Sequence, residues 1–347
     1  MSDKDIVNQS SGAVVKPSKK RRCAAHCKRF WWAHAIIFVC VVVLVVCLVI
    51  FVGVPNIAQD KMDDAKLEIQ GVEILETEPE NYLMKVDSTI TTDGSIHADI
   101  DPFVGNMYLA DVEPRVAFAT LDFPATTADK HQVVNISQEV KITNMEAFTQ
   151  FNIWFTNNET VNMAIEGETK AQPRGLSRKY KVDFKKKLEV KALNLFKGTE
   201  VNAKTAKLST KLDKNGKNFY GQADIPNASH FTLDIGNVSF INFIDGEKIG
   251  TLWIDNLLLH PGSNVVDISA KMDQAPVLKA AQSEKYCKTG KVPFNLLGDT
   301  VTNHGKDLTY FAAALGSANQ TVEIDIATII YNNIGFDPRC TKDKKDD

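Results

Sequence analysis

The chain has 347 residues, with 40 basic and 43 acidic side chains and a formal net charge of −3. This balance hides an asymmetry, because residues 1–34 carry a net charge of +6 and leave −9 for the rest. The asymmetry excludes a uniformly charged chain and favours a basic tail beside an anionic membrane leaflet. The part from Pro55 onward is long enough for two domains of ordinary size.

An uncharged apolar segment, residues 35–54, follows the basic tail. In a helix that rises about 1.5 Å per residue, this segment crosses a hydrocarbon core about 30 Å thick. Basic residues precede it and Asp60 follows it, so the positive-inside rule predicts a cytosolic N-terminus and an exported remainder. A cleaved signal peptide is the alternative, but its apolar region is usually only about 7–15 residues long. We therefore predict a transmembrane signal-anchor.

The cysteines divide between the two compartments. Cys23 and Cys27 lie beside the membrane on the cytosolic side, so they are candidates for reversible palmitoylation. Metal binding is the weaker alternative, because one short cluster does not supply the four ligands of a zinc site. Cys287 and Cys340 are the two cysteines beyond the apolar segment, and we predict that they pair in a disulfide.

N-glycosylation sequons agree with this topology. Five of them follow the apolar segment, where each is an acceptor if it is exposed in the secretory lumen. Their asparagines are Asn135, Asn158, Asn227, Asn237 and Asn319. We therefore predict a glycoprotein.

Short runs that alternate apolar and polar residues dominate the exported part, for example at 82–86, 180–184 and 322–326. Turn signals such as Thr92-Asp93-Gly94 separate the runs, which indicates antiparallel strands with one buried face. Several such strands within about 130 residues are typical of a β-sandwich. The predicted fold class is mainly β, with an N-terminal transmembrane helix followed by two tandem antiparallel β-sandwich domains.

An internal duplication organises this part of the sequence. Four short segments recur in the same order, and the offset between the copies grows from 125 to 161 residues. The first segments are 98–100, 119–123, 133–137 and 158–165, and their matches are 223–225, 250–254, 265–269 and 319–326. The growing offset predicts an insertion near 280–306. The predicted domains are a basic cytosolic tail (1–34), the signal-anchor (35–54), a linker (55–65), a first β-sandwich repeat (66–198), a second repeat (199–336) and a charged C-terminal tail (337–347).

The order of these motifs resembles a known family. Ala98-Asp99-Ile100, a strand at Thr120-Leu121, a short helix and a closing segment 160–167 follow one another as in an uncharacterised fungal family of single-pass membrane proteins. That family is distantly similar to the late-embryogenesis-abundant type 2 domains, and the resemblance covers roughly residues 20–335. It implies a lumenal or extracellular β-sandwich behind a signal-anchor. It also implies the vacuolar membrane as the first expected location, with the plasma membrane second.

Motifs that carry catalytic chemistry are missing from the sequence. It contains no G-x-S-x-G nucleophile elbow, no G-x-x-x-x-G-K-[ST] phosphate loop and no H-E-x-x-H metal helix, so we predict no catalytic residue, metal ligand or cofactor. A basic ribbon stands out within the acidic part, and its residues are Arg174, Arg178, Lys179, Lys181, Lys185, Lys186, Lys187 and Lys191. The favoured interpretation is an edge strand whose lysines prevent aggregation. The alternative is contact with anions or acidic lipid headgroups.

These features predict a non-enzymatic, single-pass membrane protein whose lumenal or extracellular ectodomain has an interaction or membrane-organising role. The alternative is a lipid-binding or lipid-transfer β-sandwich module, which requires a cavity of several hundred Å³ between its sheets. The expected partners are the membrane, a lipid ligand under the alternative, and unidentified proteins. A lumenal location excludes nucleic acid as a partner.

Overall fold

The computed structural model describes residues 30–340. These residues divide into two compact units between Ile57 and Ala58. The two palmitoylation candidates, Cys23 and Cys27, lie outside the described residues, as do most of the predicted basic tail and residues 341–347 of the predicted C-terminal tail.

The first unit is helical. Helix α1 (Trp31–Leu48) continues through a π-helical turn (Val49–Gly53) into α2 (Val54–Asp64), whose last residues belong to the second unit. The π-helical turn ends two residues before Pro55, which has no backbone N–H to donate. An 18-residue window of this helix has a mean hydropathy of 3.7, and none of it is buried. The predicted apolar helix is confirmed as long enough to cross a membrane, and the predicted linker is helical as far as Asp64.

The first half of the second unit consists of strands β1 to β9 and one helix. The strands are β1 (Lys66–Leu75), β2 (Asn81–Thr91), β3 (Ala98–Ile100), β4 (Phe103–Leu109), β5 (Ala119–Phe123), β6 (Thr126–Thr127), β7 (His131–Lys141), β8 (Thr160–Pro173) and β9 (Tyr180–Lys191). The helix is α3 (Met145–Asn157), which Asn144 caps by accepting a hydrogen bond from the Ala147 N–H at 2.8 Å.

The second half follows a 3₁₀ turn at Asn194–Phe196. Its strands are β10 (Glu200–Val201), β11 (Lys207–Leu208), β12 (Phe219–Asn227), β13 (Phe231–Ile244), β14 (Glu247–Leu259), β15 (Gly262–Met272), β16 (Lys291–Asn303), β17 (Lys306–Asp307) and β18 (Gln320–Asp325). Its helices are α4 (Gln274–Gln282), α5 (Thr309–Leu315) and α6 (Ile326–Ile334).

Two sheets enclose the hydrophobic core. The larger has the strand order β10-β12-β15-β14-β13-β1-β2-β7, with β16 and β18 continuing from β13, and the smaller has the order β5-β4-β8-β3-β6 with β9 beside β8. Alternate residues of β2, such as Met84 and Val86, share one core with Val182 and Phe184 of β9. The sequence alternation therefore predicted the buried faces correctly, because successive strand residues point to opposite faces. The mainly β class with sheets in a sandwich-like arrangement is confirmed.

One parallel pairing joins the two halves of the chain. Val72 of β1 lies opposite Phe231 of β13, and Ile74 lies opposite Leu233, whereas the other described strand pairs are antiparallel. The hydroxyl of Thr77 adds a hydrogen bond of 2.7 Å to the carbonyl of Asp234. The larger sheet thus runs continuously across the predicted boundary between the repeats, and the domain limits themselves stay a prediction.

The strand pairing favours a different alignment of the fourth sequence match. β8 pairs with both β4 and the later strand β9, and in the second half it is β16 that pairs with both β13 and the later strand β18. By this pairing β8 corresponds to β16. Residues 161–165 then align with 292–296 at an offset of 131 residues, in line with the offsets of 131 and 132 residues in the second and third matches. In this alignment β17 and α5 are additional elements between β16 and β18, and the insertion near 280–306 stays a prediction.

Candidate functional site

The end of helix α2 is fixed to the edge of β9 by the side chain of Gln59. Its amide Nε2 donates to the carbonyl of Asp183 at 2.9 Å, and its Oε1 accepts from the N–H of Asp183 at 2.8 Å. The strand β9 pairs only with β8, so it is an edge strand. The backbone N–H and C=O groups on its other side need hydrogen-bond partners. The amide of Gln59 supplies the two hydrogen bonds that a neighbouring strand would make.

Lys186 occupies a position on β9 where the pattern places an apolar residue. The core-facing row runs through Phe184, Lys186 and Leu188, while the exposed Lys185 and Lys187 lie on the other face. Lys186 belongs by sequence to the basic ribbon, but its parity on the strand distinguishes it from its two lysine neighbours.

The ammonium of Lys186 binds the last carbonyls of helix α2. Nζ donates to the carbonyls of Met62 at 2.7 Å, Asp63 at 3.0 Å and Ala65 at 2.5 Å. A helix ends with unsatisfied carbonyls and a partial negative charge, so a cation there is stabilising. Burial lowers the pKa of Lys186, and the nearby carboxylates of Asp63 and Asp64 oppose that shift.

Ion pairs partly neutralise the predicted basic ribbon. Lys179 Nζ lies 2.7 Å from Asp101 Oδ1, and Lys185 Nζ lies 2.9 Å from Asp183 Oδ2. Both pairs are largely exposed, where such interactions contribute little to stability but cancel charge. These contacts favour the edge-strand interpretation of the ribbon over the anion-binding one.

The remaining ribbon residues do not converge on a single point. Lys181 is exposed and lies opposite Lys170 of β8. Arg178 stacks over the ring of Tyr180 with its guanidinium carbon 5.8 Å from the ring centroid. Arg174 is exposed on the loop that follows β8.

The core contains small apolar cavities that bear on the lipid-binding alternative. One of about 40 Å³ lies between Tyr82, Phe148 and Tyr310, and a second of about 50 Å³ lies near Phe196 and Phe240. Two others, one in each half, measure about 30 Å³. Because one water-sized probe needs about 10–15 Å³, each cavity holds a few waters at most. None of the four approaches the volume that a lipid chain requires.

The predicted disulfide between Cys287 and Cys340 is present in the structure. Cys287 is 1% exposed, and its carbonyl accepts the Cys340 N–H at 3.2 Å. The bridge ties the segment after α6 to the turn after α4, as the compartment argument predicted.

Four of the five sequon asparagines are exposed, and one is buried. Asn227 is 2% exposed, donates to the carbonyl of Phe231 at 2.7 Å and accepts the hydroxyl of Ser229 at 2.6 Å. The asparagine and the serine of this sequon therefore bind each other inside the turn between β12 and β13. The exposed ones are Asn135, Asn158, Asn237 and Asn319.

Ionisable side chains form no metal-binding group in the described part of the chain, where no three His, Cys, Asp or Glu side chains come together suitably. His97 Nδ1 lies 2.9 Å from Asp129 Oδ1, and the hydroxyl of Thr127 donates to Asp129 Oδ2 at 2.7 Å. These two hydrogen bonds, that of Thr127 first, hold the pKa of Asp129 below its usual value. The group closes the turn that leads into β7.

A family model matches residues 116–242, from just before β5 to the end region of β13. It is described as "Protein of unknown function (DUF3712)". The match is to an uncharacterised domain. It agrees with the prediction of an uncharacterised family, and it spans the predicted boundary between the two repeats.

Other comparisons add little. No curated protein matches the chain. Among solved structures, a bacterial adhesin from Mobiluncus mulieris that contains intramolecular disulfide, isopeptide and ester bond cross-links matches in two crystal forms. The first form has 9% identity and a TM-score of 0.20, and covers 68% of this chain and 81% of the adhesin chain. The second has 10% identity and a TM-score of 0.19, with 68% and 79% covered. Similarity at this level supports no conclusion about fold or function.

Proposed function

We propose that the chain is a single-pass membrane protein with a cytosolic N-terminus and a lumenal or extracellular ectodomain that acts by interaction and not by catalysis. The observation that carries this proposal is the uncharged helix that precedes a disulfide-closed β-rich unit. Disulfides persist in oxidising compartments, so the bridge supports export of the part that follows the helix. The basic residues before the helix support the same orientation.

The proposed location is the vacuolar membrane, with the plasma membrane second. The support for it is the resemblance of the motif order to a fungal family of single-pass membrane proteins, which also makes the late-embryogenesis-abundant type 2 domains distant relatives. The role that fits such an ectodomain is to organise the membrane or to bind partners through its surface.

Glycan mapping tests the topology of this proposal. We expect N-glycans at Asn135, Asn158, Asn237 and Asn319, and none at Asn227, whose side chain is sequestered in its turn. Peptide mass spectrometry before and after enzymatic deglycosylation of protein from a eukaryotic host measures occupancy at each site. A glycan on Asn8, or none at any of the four exposed sites, would contradict the orientation.

Mass spectrometry of the gently purified full-length protein separates the proposal from its lipid-carrier alternative. Because each cavity described holds only a few waters, we expect no lipid to remain bound in stoichiometric amount once detergent is removed by gas-phase activation. The variant Phe196→Ala is measured beside the wild type, because Phe196 lines both the 40 Å³ and the 50 Å³ cavity and its truncation enlarges them. One lipid per wild-type chain would favour the carrier function instead.

A further inference from the structure

The C-terminal end of α6 presents apolar side chains to solvent. Tyr331, Ile334 and Phe336 are 55%, 50% and 45% exposed. The opposite side of the helix is already apolar, since Ile329 and Ile330 are buried in the core. A helix on a protein surface normally has a polar outer face, so an apolar outer end indicates a surface that contacts something else.

This apolar end is held rigidly. Asn333 accepts the N–H of Leu208 at 3.1 Å and donates to the carbonyl of Ala206 at 3.0 Å, which fixes α6 to β11. Gly335, with φ of 77°, ends the helix in the left-handed conformation that favours glycine. The disulfide at Cys340 secures the segment that follows. The three side chains therefore project from a fixed backbone.

A lysine-rich loop adjoins the same place. The loop 202–217 passes through β11, and its exposed lysines are Lys204, Lys207, Lys211 and Lys214. Its one acidic residue, Asp213, accepts hydrogen bonds from the hydroxyl of Tyr220 and from two N–H groups of its own turn. Within residues 30–340, no carboxylate lies at ion-pair distance from these four ammonium groups. Unlike the charges of Lys179 and Lys185 in the basic ribbon, their charges are not offset by an ion pair within those residues.

We propose that these residues form a membrane-binding patch, made of Tyr331, Ile334 and Phe336 with the four lysines of the neighbouring loop, that binds the surface of an anionic lipid bilayer. Aromatic and aliphatic side chains enter the interface between headgroups and acyl chains, and lysines beside them attract anionic headgroups. An acidic protein would satisfy the lysines but leave the apolar side chains without a matching surface. The inference rests on the proposed function, because the proposed ectodomain faces the lumenal or outer leaflet, and the patch requires anionic lipid in that leaflet.

Vesicle flotation with the full-length protein tests the patch. The protein is placed in nanodiscs of phosphatidylcholine, which occupy its apolar helix, and is mixed with vesicles of phosphatidylcholine with or without phosphatidylserine. We expect binding to the phosphatidylserine vesicles that weakens as salt is raised. The triple variant Tyr331→Ser, Ile334→Ser, Phe336→Ser should bind at least about tenfold more weakly than the wild type. Changing the four lysines to glutamine should weaken binding by up to about 600-fold, since each lysine near the surface contributes about fivefold.

Matched controls use equally exposed residues elsewhere. Val104, Val133 and Val265 are 51%, 65% and 67% exposed, and their combined change to serine should leave binding unchanged. Lys248→Gln with Lys271→Gln, two exposed lysines on β14 and β15, is the charge control. Unaltered thermal unfolding confirms that each variant is folded. Absence of binding to phosphatidylserine vesicles, or equal losses in patch and control variants, would overturn the patch and leave a protein partner as its occupant. Neither result bears on the orientation, which glycan mapping decides independently.

Discussion

Replacing both Cys287 and Cys340 by alanine is expected to lower the free energy of unfolding of residues 58–347 by about 4 kcal/mol. The two cysteines are 53 residues apart, and a cross-link over a loop of that length removes much of the entropy of the unfolded chain. The closed loop contains β16, β18 and α6, which bury Phe294, Val322 and Ile329. Since whole domains are stable by only about 5–15 kcal/mol, the loss is a large share of the total.

Urea unfolding of the compact unit 58–347, with and without reductant, measures this effect. Alanine is the appropriate replacement because a serine hydroxyl at the buried position 287 would add a cost of its own. Reductant should bring the wild type to the stability of the double alanine variant and should leave that variant unchanged. Equal stability of oxidised wild type and variant would show that the bridge does not constrain the fold.

Changing Lys186 to methionine should destabilise the same unit by about 2 kcal/mol, whereas Lys185→Met should change its stability by less than about 0.5 kcal/mol. The two residues are adjacent on β9, but one faces the core row and binds three helix carbonyls while the other forms an exposed ion pair. Methionine fills the stem volume of lysine, so the difference reports on the charged hydrogen bonds.

A double-mutant cycle with Gln59→Ala makes this test specific. Both side chains fix the end of α2 to β9, so their effects should be non-additive. Limited proteolysis should also cut sooner between residues 58 and 66 in the Lys186→Met variant than in the Lys185→Met variant. Similar unfolding midpoints for the two lysine variants would show that the carbonyl contacts do not stabilise the unit.

Features that depend on local pattern or compartment were predictable from the sequence. The apolar helix follows from twenty uncharged residues, and the disulfide follows from the two cysteines that lie beyond that helix, with no others beside them. Buried strand faces follow from the alternation itself, as at Tyr82, Met84 and Val86. The same rule, applied to Val182, Phe184 and Leu188, would also have singled out Lys186 as a lysine in a core-facing row.

Choices between strand partners were not predictable in this way. The alternation of apolar and polar residues shows which face of a strand is buried but not which strand lies beside it. The sequence pattern therefore does not indicate that β1 pairs with β13. The sequence match relates β8 to β18 through the Thr-Val pairs 160–161 and 321–322, whereas the strand pairing relates β8 to β16. The sequence alone does not distinguish the two roles of Asn227, because Asn and Ser two residues apart mark both a sequon and a turn.

The parallel pairing of β1 with β13 sets an order of events during synthesis. β1 is among the first strands to emerge beyond the helix, yet its partner at Phe231 is made more than 150 residues later. Until then the inner edge of β1 stays open, and an open strand edge is where chains associate wrongly. The larger sheet therefore cannot close along this edge of β1 until β13 has been made, and a chain truncated after the first half keeps that edge open.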